Sequence, residues 1–280
     1  MMMASQIRPS HPNLAFVCAH IGKAAPTEMD MELAIYEACN LGRADIVRAI
    51  YGHIGAFIYA PKIARTIFEI GCRINNQDLI NFALACWRVT GRKLEYLIGD
   101  GFLSACNGGH IGIVREMQAL LSDNTTCGPL GYRIAITRGD TALMQYFEAS
   151  NADCRISCYI GALPMIIESG DYERVRAAIA IIDTQETETP DWLTCLRAAL
   201  NNPIEPILEL IRDRLHPDVI QHTRANYVVP RFQTLCKGPA LHLLRFARAI
   251  CSFGWTITAN DLQDHNELIE IARDLRCLAE

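Results

Sequence analysis

Cys154 and Cys158 lie four residues apart, so a helix through this segment would bring both thiols to one face. Thiolates are good zinc ligands, but a structural zinc site takes four ligands that usually come as two close pairs. No histidine or second cysteine pair stands near Cys154 and Cys158. The spacing therefore favours buried helical thiols over zinc, and we expect no metal site and no cofactor.

Other residues that could do chemistry lack the neighbours that such chemistry needs. His216 and His222 have no cysteine or carboxylate at a diagnostic spacing. The segment Gly99-Asp100-Gly101 lacks the lysine that follows in a phosphate-binding loop, so it predicts a turn. There is no Gly-x-Ser-x-Gly elbow and no His-Glu-x-x-His motif. We therefore expect no enzyme, with an active site hidden in a helical scaffold as the alternative.

The composition points to a globular chain that works inside the cell. Its 280 residues are 50% hydrophobic and carry a formal net charge of −5, which argues against a dedicated nucleic-acid binder. No apolar run reaches the roughly 20 residues that cross a membrane, and no secretory signal is evident. The 12 cysteines mostly sit in apolar helical segments, which favours reduced thiols in the cytoplasm or nucleus over a disulfide framework.

A repeated segment supplies the organisation of the chain. Residues 38–48 read ACNLGRADIVR and residues 105–115 read ACNGGHIGIVR, and their glycines, Gly42 and Gly109, are 67 residues apart. Weaker copies place Gly139, Gly170 and Asn202 in the same position, at steps of 30, 31 and 32 residues. Such spacing is typical of a solenoid with a period of about 33 residues.

Each copy predicts a pair of helices. The first helix is apolar and ends at the Gly or Asn, which can adopt the left-handed conformation at little energetic penalty. The second is amphipathic, with apolar residues at three- and four-residue spacing such as Ile46, Val47 and Ile50. One pair cannot bury its apolar face alone, so we expect an all-α solenoid of stacked antiparallel helix pairs.

These residues resemble the ankyrin repeat family over about residues 30–215. Asn151-Ala152-Asp153 falls twelve residues after Gly139, where the family has a Gly-Ala-Asp turn, and Gly55-Ala56 and Asp100-Gly101 look like the same turn. The family's Thr-Pro-Leu-His start of the first helix is missing from every copy. Residues 59–101 fit so poorly that one unit is expected to be truncated or rebuilt. A divergent protein of viral or intracellular-pathogen type fits this pattern, and a different helical-pair solenoid is the alternative.

We predict three parts of the chain: an N-terminal cap over 1–28, degenerate repeats over 29–215, and a C-terminal helical cap or small module over 216–280. The last part should hold helices over 239–251 and about 260–278. Leu215 to Ile220 is similar to the opening of F-box-like modules, although a plain helix start explains it as well.

The resemblance implies a protein–protein interaction scaffold whose partner is another protein, not nucleic acid or membrane. We expect a monomer in the cytoplasm or nucleus, or in the host cytosol if the origin is viral. The alternative is a substrate adaptor for a ubiquitin ligase, recruiting the ligase through the C-terminal helices. Asp140 and Asp171 could instead only complement the positive end of the helix that follows each of them. In the family, the histidine at the position of His110 has a structural role. The predicted partner-binding residues are Arg43, His53, Asp100, His110, Asp140, Asn151, Asp153 and Asp171.

Overall fold

The computed structural model describes residues 28–54, 60–121, 127–150, 154–184, 188–216, 223, 227–235, 243, 246–247, 250–251, 255 and 266–274. In these residues the chain forms fourteen α-helices and no β-strand, which confirms the all-α prediction. None of these helices is both long and apolar enough to cross a membrane. The chain divides into two compact units between Ala152 and Asp153, and each is described separately.

The described residues of the first unit form four helix pairs. In each pair a first helix (odd number) is joined by a tight turn to a second helix (even number), and neighbouring first helices pack against each other along the unit. The pairs are α1 (Glu28–Asn40) with α2 (Ala44–Ile54), α3 (Ala60–Arg73) with α4 (Gln77–Val89), α5 (Leu94–Gly108) with α6 (Ile111–Leu120), and α7 (Cys127–Arg138) with α8 (Thr141–Ser150).

The turn inside each pair follows the predicted design. Gly42, Gly109 and Gly139 have φ angles of 67°, 78° and 70°, the left-handed conformation that ends a helix. The amide of the next residue then reaches back to the first helix, as in His110 N to Ala105 O at 3.0 Å and Asp140 N to Ala135 O at 3.0 Å. The prediction that these glycines terminate the first helices is confirmed.

The sequence predicts a truncated or rebuilt unit within residues 59–101, but α3 and α4 form a pair of full length, so truncation is wrong. Asn75 occupies the helix-ending position with φ 58°, and Asn76 N bonds to Gly71 O at 2.9 Å, as in the other pairs. Asn75 lies 33 residues after Gly42 and 34 before Gly109, so the period is intact. Asparagine tolerates the left-handed region better than most residues, because its short polar side chain can bond locally.

The segment Gly99-Asp100-Gly101 is not a turn, contrary to both interpretations of it, because it lies inside α5. Gly101 is buried, and a Cβ there would approach the Phe68 ring, with Cδ1 at 2.8 Å and Cys72 Sγ at 3.1 Å. The absence of a side chain therefore lets α5 pack closely on α3. Gly131 plays the same part for α7, since its Cβ would lie 2.7 Å from Phe102 Cε1 of α5.

Cysteine recurs three residues before the helix-ending residue in the first three pairs. Cys39, Cys72 and Cys106 are fully buried. Burial raises the pKa of each of these thiols to about 12, so they stay protonated at neutral pH. They pack as small apolar side chains between neighbouring helices, as the sequence predicts for helical thiols.

The second unit contains α9 (Arg155–Ser169), α10 (Tyr172–Ile182), α11 (Trp192–Asn201), α12 (Glu205–Arg212), α13 (Val229–Leu235) and α14 (Asn266–Asp274). Gly170 ends α9 with φ 77°, as predicted. Asn202 differs from the prediction, because its φ is −130° rather than left-handed. Pro203 follows it, and the residue before a proline is held in extended conformations.

The ends of the chain test the remaining boundaries only in part. The proposed N-terminal cap lies outside the described residues except for Glu28, which already belongs to α1. Within the predicted helix 239–251, the described positions 243, 246–247 and 250–251 are helical. The final predicted helix is present as α14, from Asn266 to Asp274.

Candidate protein-binding face

Residues that follow the helix-ending turns join one pair to the previous pair. The Nε2–H of His110 donates to Arg73 O at 2.9 Å, and Asn76 Nδ2 donates to Gly42 O at 3.1 Å. These carbonyls belong to the last turn of a first helix or to the turn after it, where intrahelical partners are lacking. His110 thus makes the kind of structural contact that the resemblance implies, and a role for it in partner binding stays a prediction.

Three other predicted binding residues also have local partners. Asp140 Oδ1 accepts the Leu143 amide at 3.1 Å, and Asp171 Oδ1 accepts the Arg174 amide at 3.2 Å. Both carboxylates therefore cap the following helix, which is the alternative role considered above. Arg43 pairs with Asp45 at 2.5 Å, and this bond lowers the pKa of the Asp45 carboxyl. A role for any of them in partner binding stays a prediction.

The other predicted residues are not brought together. Asn151 and Asp153 lie outside the described residues, as does the side chain of His53, which belongs to α2. Asp100 lies on α5 and forms an ion pair with Arg65 of α3 at 2.8 Å. Of the eight predicted residues, Asp100 alone is placed by the structure on the surface described next.

The four first helices of the first unit share an exposed side. Leu33, Thr66, Asp100 and Leu130 each lie nine residues before the helix-ending residue of their pair, so they occupy equivalent positions. We call this surface, with the positions one turn to either side, the first-helix face. Its residues are Met29, Glu32, Leu33, Tyr36, Lys62, Arg65, Thr66, Glu69, Tyr96, Asp100 and Leu130.

Large apolar side chains are concentrated on the first-helix face. Eight such side chains are exposed in the described part of the chain, and five of them lie here. Met29 and Tyr96 are each 72% exposed. Single exposed apolar residues are common on protein surfaces, but five on one face are not scattered singly. The five residues are Met29, Leu33, Tyr36, Tyr96 and Leu130.

Ion pairs cross the face between neighbouring first helices. Lys62 Nζ of α3 lies 2.9 Å from Glu32 Oε2 of α1, and Arg65 Nε of α3 lies 2.8 Å from Asp100 Oδ2 of α5. Within α3, Arg65 Nε also lies 2.7 Å from Glu69 Oε1. The Glu69 hydrogen bond, with a further contribution from Asp100, raises the pKa of the Arg65 guanidinium. These pairs are solvent-exposed and contribute little stability. They do fix where charge lies between the apolar residues.

Two grooves indent this face. One, of about 390 Å³, lies between α1 and α3 and is lined by Met29, Leu33, Tyr36 and Ile63 together with charged neighbours. The other, of about 830 Å³, lies between α3, α5 and the turn before α5. Lys62 borders both grooves, so they are neighbours on the first-helix face.

Sequence reasoning missed most of this face. Its residues can be found in the sequence only by counting back nine residues from the helix-ending residue of each pair and taking the positions one turn to either side. That register requires Asn75 to be identified as the helix-ending residue of α3, and the sequence interpretation lost the repeat there. Glycine and aspartate at the turns are conspicuous in the sequence, whereas nothing in the sequence distinguishes Leu33, Tyr36 and Tyr96 from core residues.

Within its described residues, the structure adds no support for a metal site at Cys154 and Cys158 or for an F-box-like module. Cys154 Sγ and Cys158 Sγ lie 3.8 Å apart at the start of α9. In the described ranges no group of three or more His, Cys, Asp or Glu could hold a metal ion. The F-box-like segment lies mostly outside the described residues, so the ligase-adaptor hypothesis stays a prediction.

Comparison with known proteins assigns no family and no function to this chain. No family model, no curated protein and no solved structure matches this chain.

Proposed function

We propose that this chain is a non-enzymatic scaffold of ankyrin-like helix pairs that holds a partner protein on its first-helix face. The observation that carries the proposal is that five of the eight exposed large apolar side chains of the described residues lie on this one face, three on α1, one on α5 and one on α7. Apolar surface gathered on one face and framed by charge is typical of protein interfaces. Tyrosine, which contributes two of the five, is enriched among interface residues that dominate binding energy.

The architecture supports the same proposal. Neighbouring first helices pack about 8–10 Å apart, so the face across α1, α3, α5 and α7 offers a continuous surface about 30 Å long. The buried thiols of Cys39, Cys72 and Cys106 pack between helices as apolar groups, which supports a reducing compartment, the cytoplasm or nucleus.

Affinity capture with a face variant tests this function. The double substitution Leu33→Glu/Tyr36→Glu puts two carboxylates where an apolar contact is proposed, on side chains 42% and 43% exposed. We expect capture of the partner from cell extract to fall at least about 10-fold, since burying an unpaired charge at an interface is strongly unfavourable. Quantitative mass spectrometry of the captured proteins measures the effect.

The matched control is Leu120→Glu/Met165→Glu, which makes the same chemical change at apolar residues outside the face, 55% and 52% exposed. It should leave capture unchanged. Equal losses for the two variants, or no loss for either, would reject the first-helix face as the binding surface.

A further inference from the structure

The larger groove carries a charge opposite to that of the chain. Four cationic side chains line it, Lys62, Arg65, Arg92 and Lys93, and Asp100 is the one acidic residue of its lining. The chain as a whole has a formal net charge of −5. A cationic groove in an acidic protein concentrates an electrostatic attraction for anions at one place.

The four cations are not equivalent. Those on α3 are already neutralised, because Lys62 pairs with Glu32 and Arg65 pairs with Glu69 and Asp100. Those on the turn before α5 are different, since Arg92 and Lys93 are exposed and meet no carboxylate among the described residues. An incoming anion would therefore be drawn to the turn.

Hydrogen bonds hold this turn in one conformation. The Thr90 hydroxyl donates to Trp87 O at 2.7 Å, and the indole N–H of Trp87 donates to Lys93 O at 3.2 Å. Trp87 is buried, and Gly91 takes a left-handed φ of 68° that closes the turn. Arg92 and Lys93 are thus carried by ordered backbone, which reduces the entropy lost when a ligand binds.

An apolar contact lies beside the two cations. Tyr96 is in the first turn of α5, lines the same groove, and is 72% exposed. Arginine and tyrosine side by side are the residue types that most often dominate protein interfaces. The groove therefore offers charge and an aromatic surface within a few residues of each other.

We propose that this groove binds an acidic segment of the partner protein, with its carboxylates at Arg92 and Lys93 and an apolar side chain against Tyr96. The inference rests on the proposed function and names the chemistry of the partner. A protein segment fits better than nucleic acid, because Glu32, Glu69 and Asp100 lie on the same face and would repel a continuous phosphate backbone. A peptide can place its few carboxylates at the turn alone.

Panning a random peptide library displayed on phage tests the proposal. Wild-type protein should enrich peptides that carry clustered Asp or Glu with an aromatic or aliphatic residue. Arg92→Glu/Lys93→Glu should bind the enriched peptides at least about 10-fold more weakly, and raised salt should weaken wild-type binding. Acidic residues at the start of α5 suit the positive end of that helix, so the variant should keep its thermal stability.

A matched control and a nucleic-acid probe complete the design. Arg155→Glu/Arg174→Glu also reverses two charges in first helical turns, in the second unit, and should not change peptide binding. Peptides without acidic enrichment, no enrichment at all, or peptide binding insensitive to Arg92→Glu/Lys93→Glu would overturn the inference. Tighter binding of labelled DNA or RNA oligonucleotides than of the peptides would also overturn it.

The outcomes separate this inference from the proposed function. If Leu33→Glu/Tyr36→Glu abolishes partner capture while Arg92→Glu/Lys93→Glu changes neither capture nor peptide binding, the scaffold stands and the acidic ligand fails. If Leu33→Glu/Tyr36→Glu leaves capture unchanged, the first-helix face itself fails.

Discussion

Phe102→Ala is expected to lower the free energy of unfolding of the first unit by about 3–5 kcal/mol. Phe102 is fully buried in α5, and its ring meets that of Phe147 edge-to-face at a centroid separation of 6.0 Å. Gly131 of α7 packs directly on the same ring. Truncation therefore opens a cavity where two helix pairs meet, and rigid helices can close it only partly.

Urea denaturation followed by circular dichroism measures this effect. Tyr96→Ala is the matched control, because it removes an aromatic ring of similar size that is 72% exposed on the same helix. We expect it to change stability by no more than about 0.5 kcal/mol. Similar losses for the two variants would show that Phe102 does not hold neighbouring pairs together.

Gly108→Ala is expected to destabilise the chain by about 1–3 kcal/mol, although alanine normally stabilises a helix relative to glycine. A Cβ at Gly108 would collide with Arg73 O and lie 2.6 Å from Cδ2 of His110. The carbonyl belongs to the backbone at the end of α3 and cannot rotate away. The substitution would also push the His110 ring off Arg73 O, to which it bonds at 2.9 Å.

Gly112→Ala provides the control of opposite sign. Gly112 lies in the next helix, α6, and a Cβ there would meet nothing within 4 Å. This variant should be more stable by about 0.5–1 kcal/mol, since alanine loses less backbone entropy than glycine on folding. Midpoints of urea unfolding for the two variants should therefore move in opposite directions. A stabilised Gly108→Ala protein would contradict the close approach of α5 and α3.

The turns were predictable because each one requires a left-handed backbone conformation, which favours glycine and depends only on the local chain. Gly42, Gly109, Gly139 and Gly170 all adopt the left-handed conformation that ends a helix. Asp191 likewise caps α11 by accepting the amides of Leu193 and Thr194, and an aspartate just before an apolar helical run is a local start signal. Such signals depend on a few neighbouring residues, so they can be recognised without knowledge of the packing.

The missed pair shows where local reasoning fails. In α3 the repeat replaces its alanine by Gly71 and its glycine by Asn75, so the marked residues of the other copies are absent. Gly99 and Gly101 then suggested a turn, whereas Gly101 serves the contact of α5 with Phe68. A glycine that permits close packing cannot be distinguished from a turn glycine until its neighbour across the interface is known.

The candidate site was harder to predict for the same reason. Arg43, Asp140 and Asp171 are polar residues at turns and looked available, but each is engaged by a local partner. Tyr36 and Tyr96 are apolar enough to suggest burial, but their helices leave them exposed. Exposure of an apolar residue is a property of the packed unit, so only the register of all four pairs reveals it.

Photo-cross-linking from single positions tests the central claim most directly. Benzoylphenylalanine placed at Tyr36 or Tyr96, on the first-helix face, should cross-link to the protein captured from cell extract. The same group at Glu116 or Leu120, exposed on α6 outside that face, should give no such product. Cross-links from Glu116 and Leu120 together with none from Tyr36 and Tyr96 would contradict a partner held on the first helices.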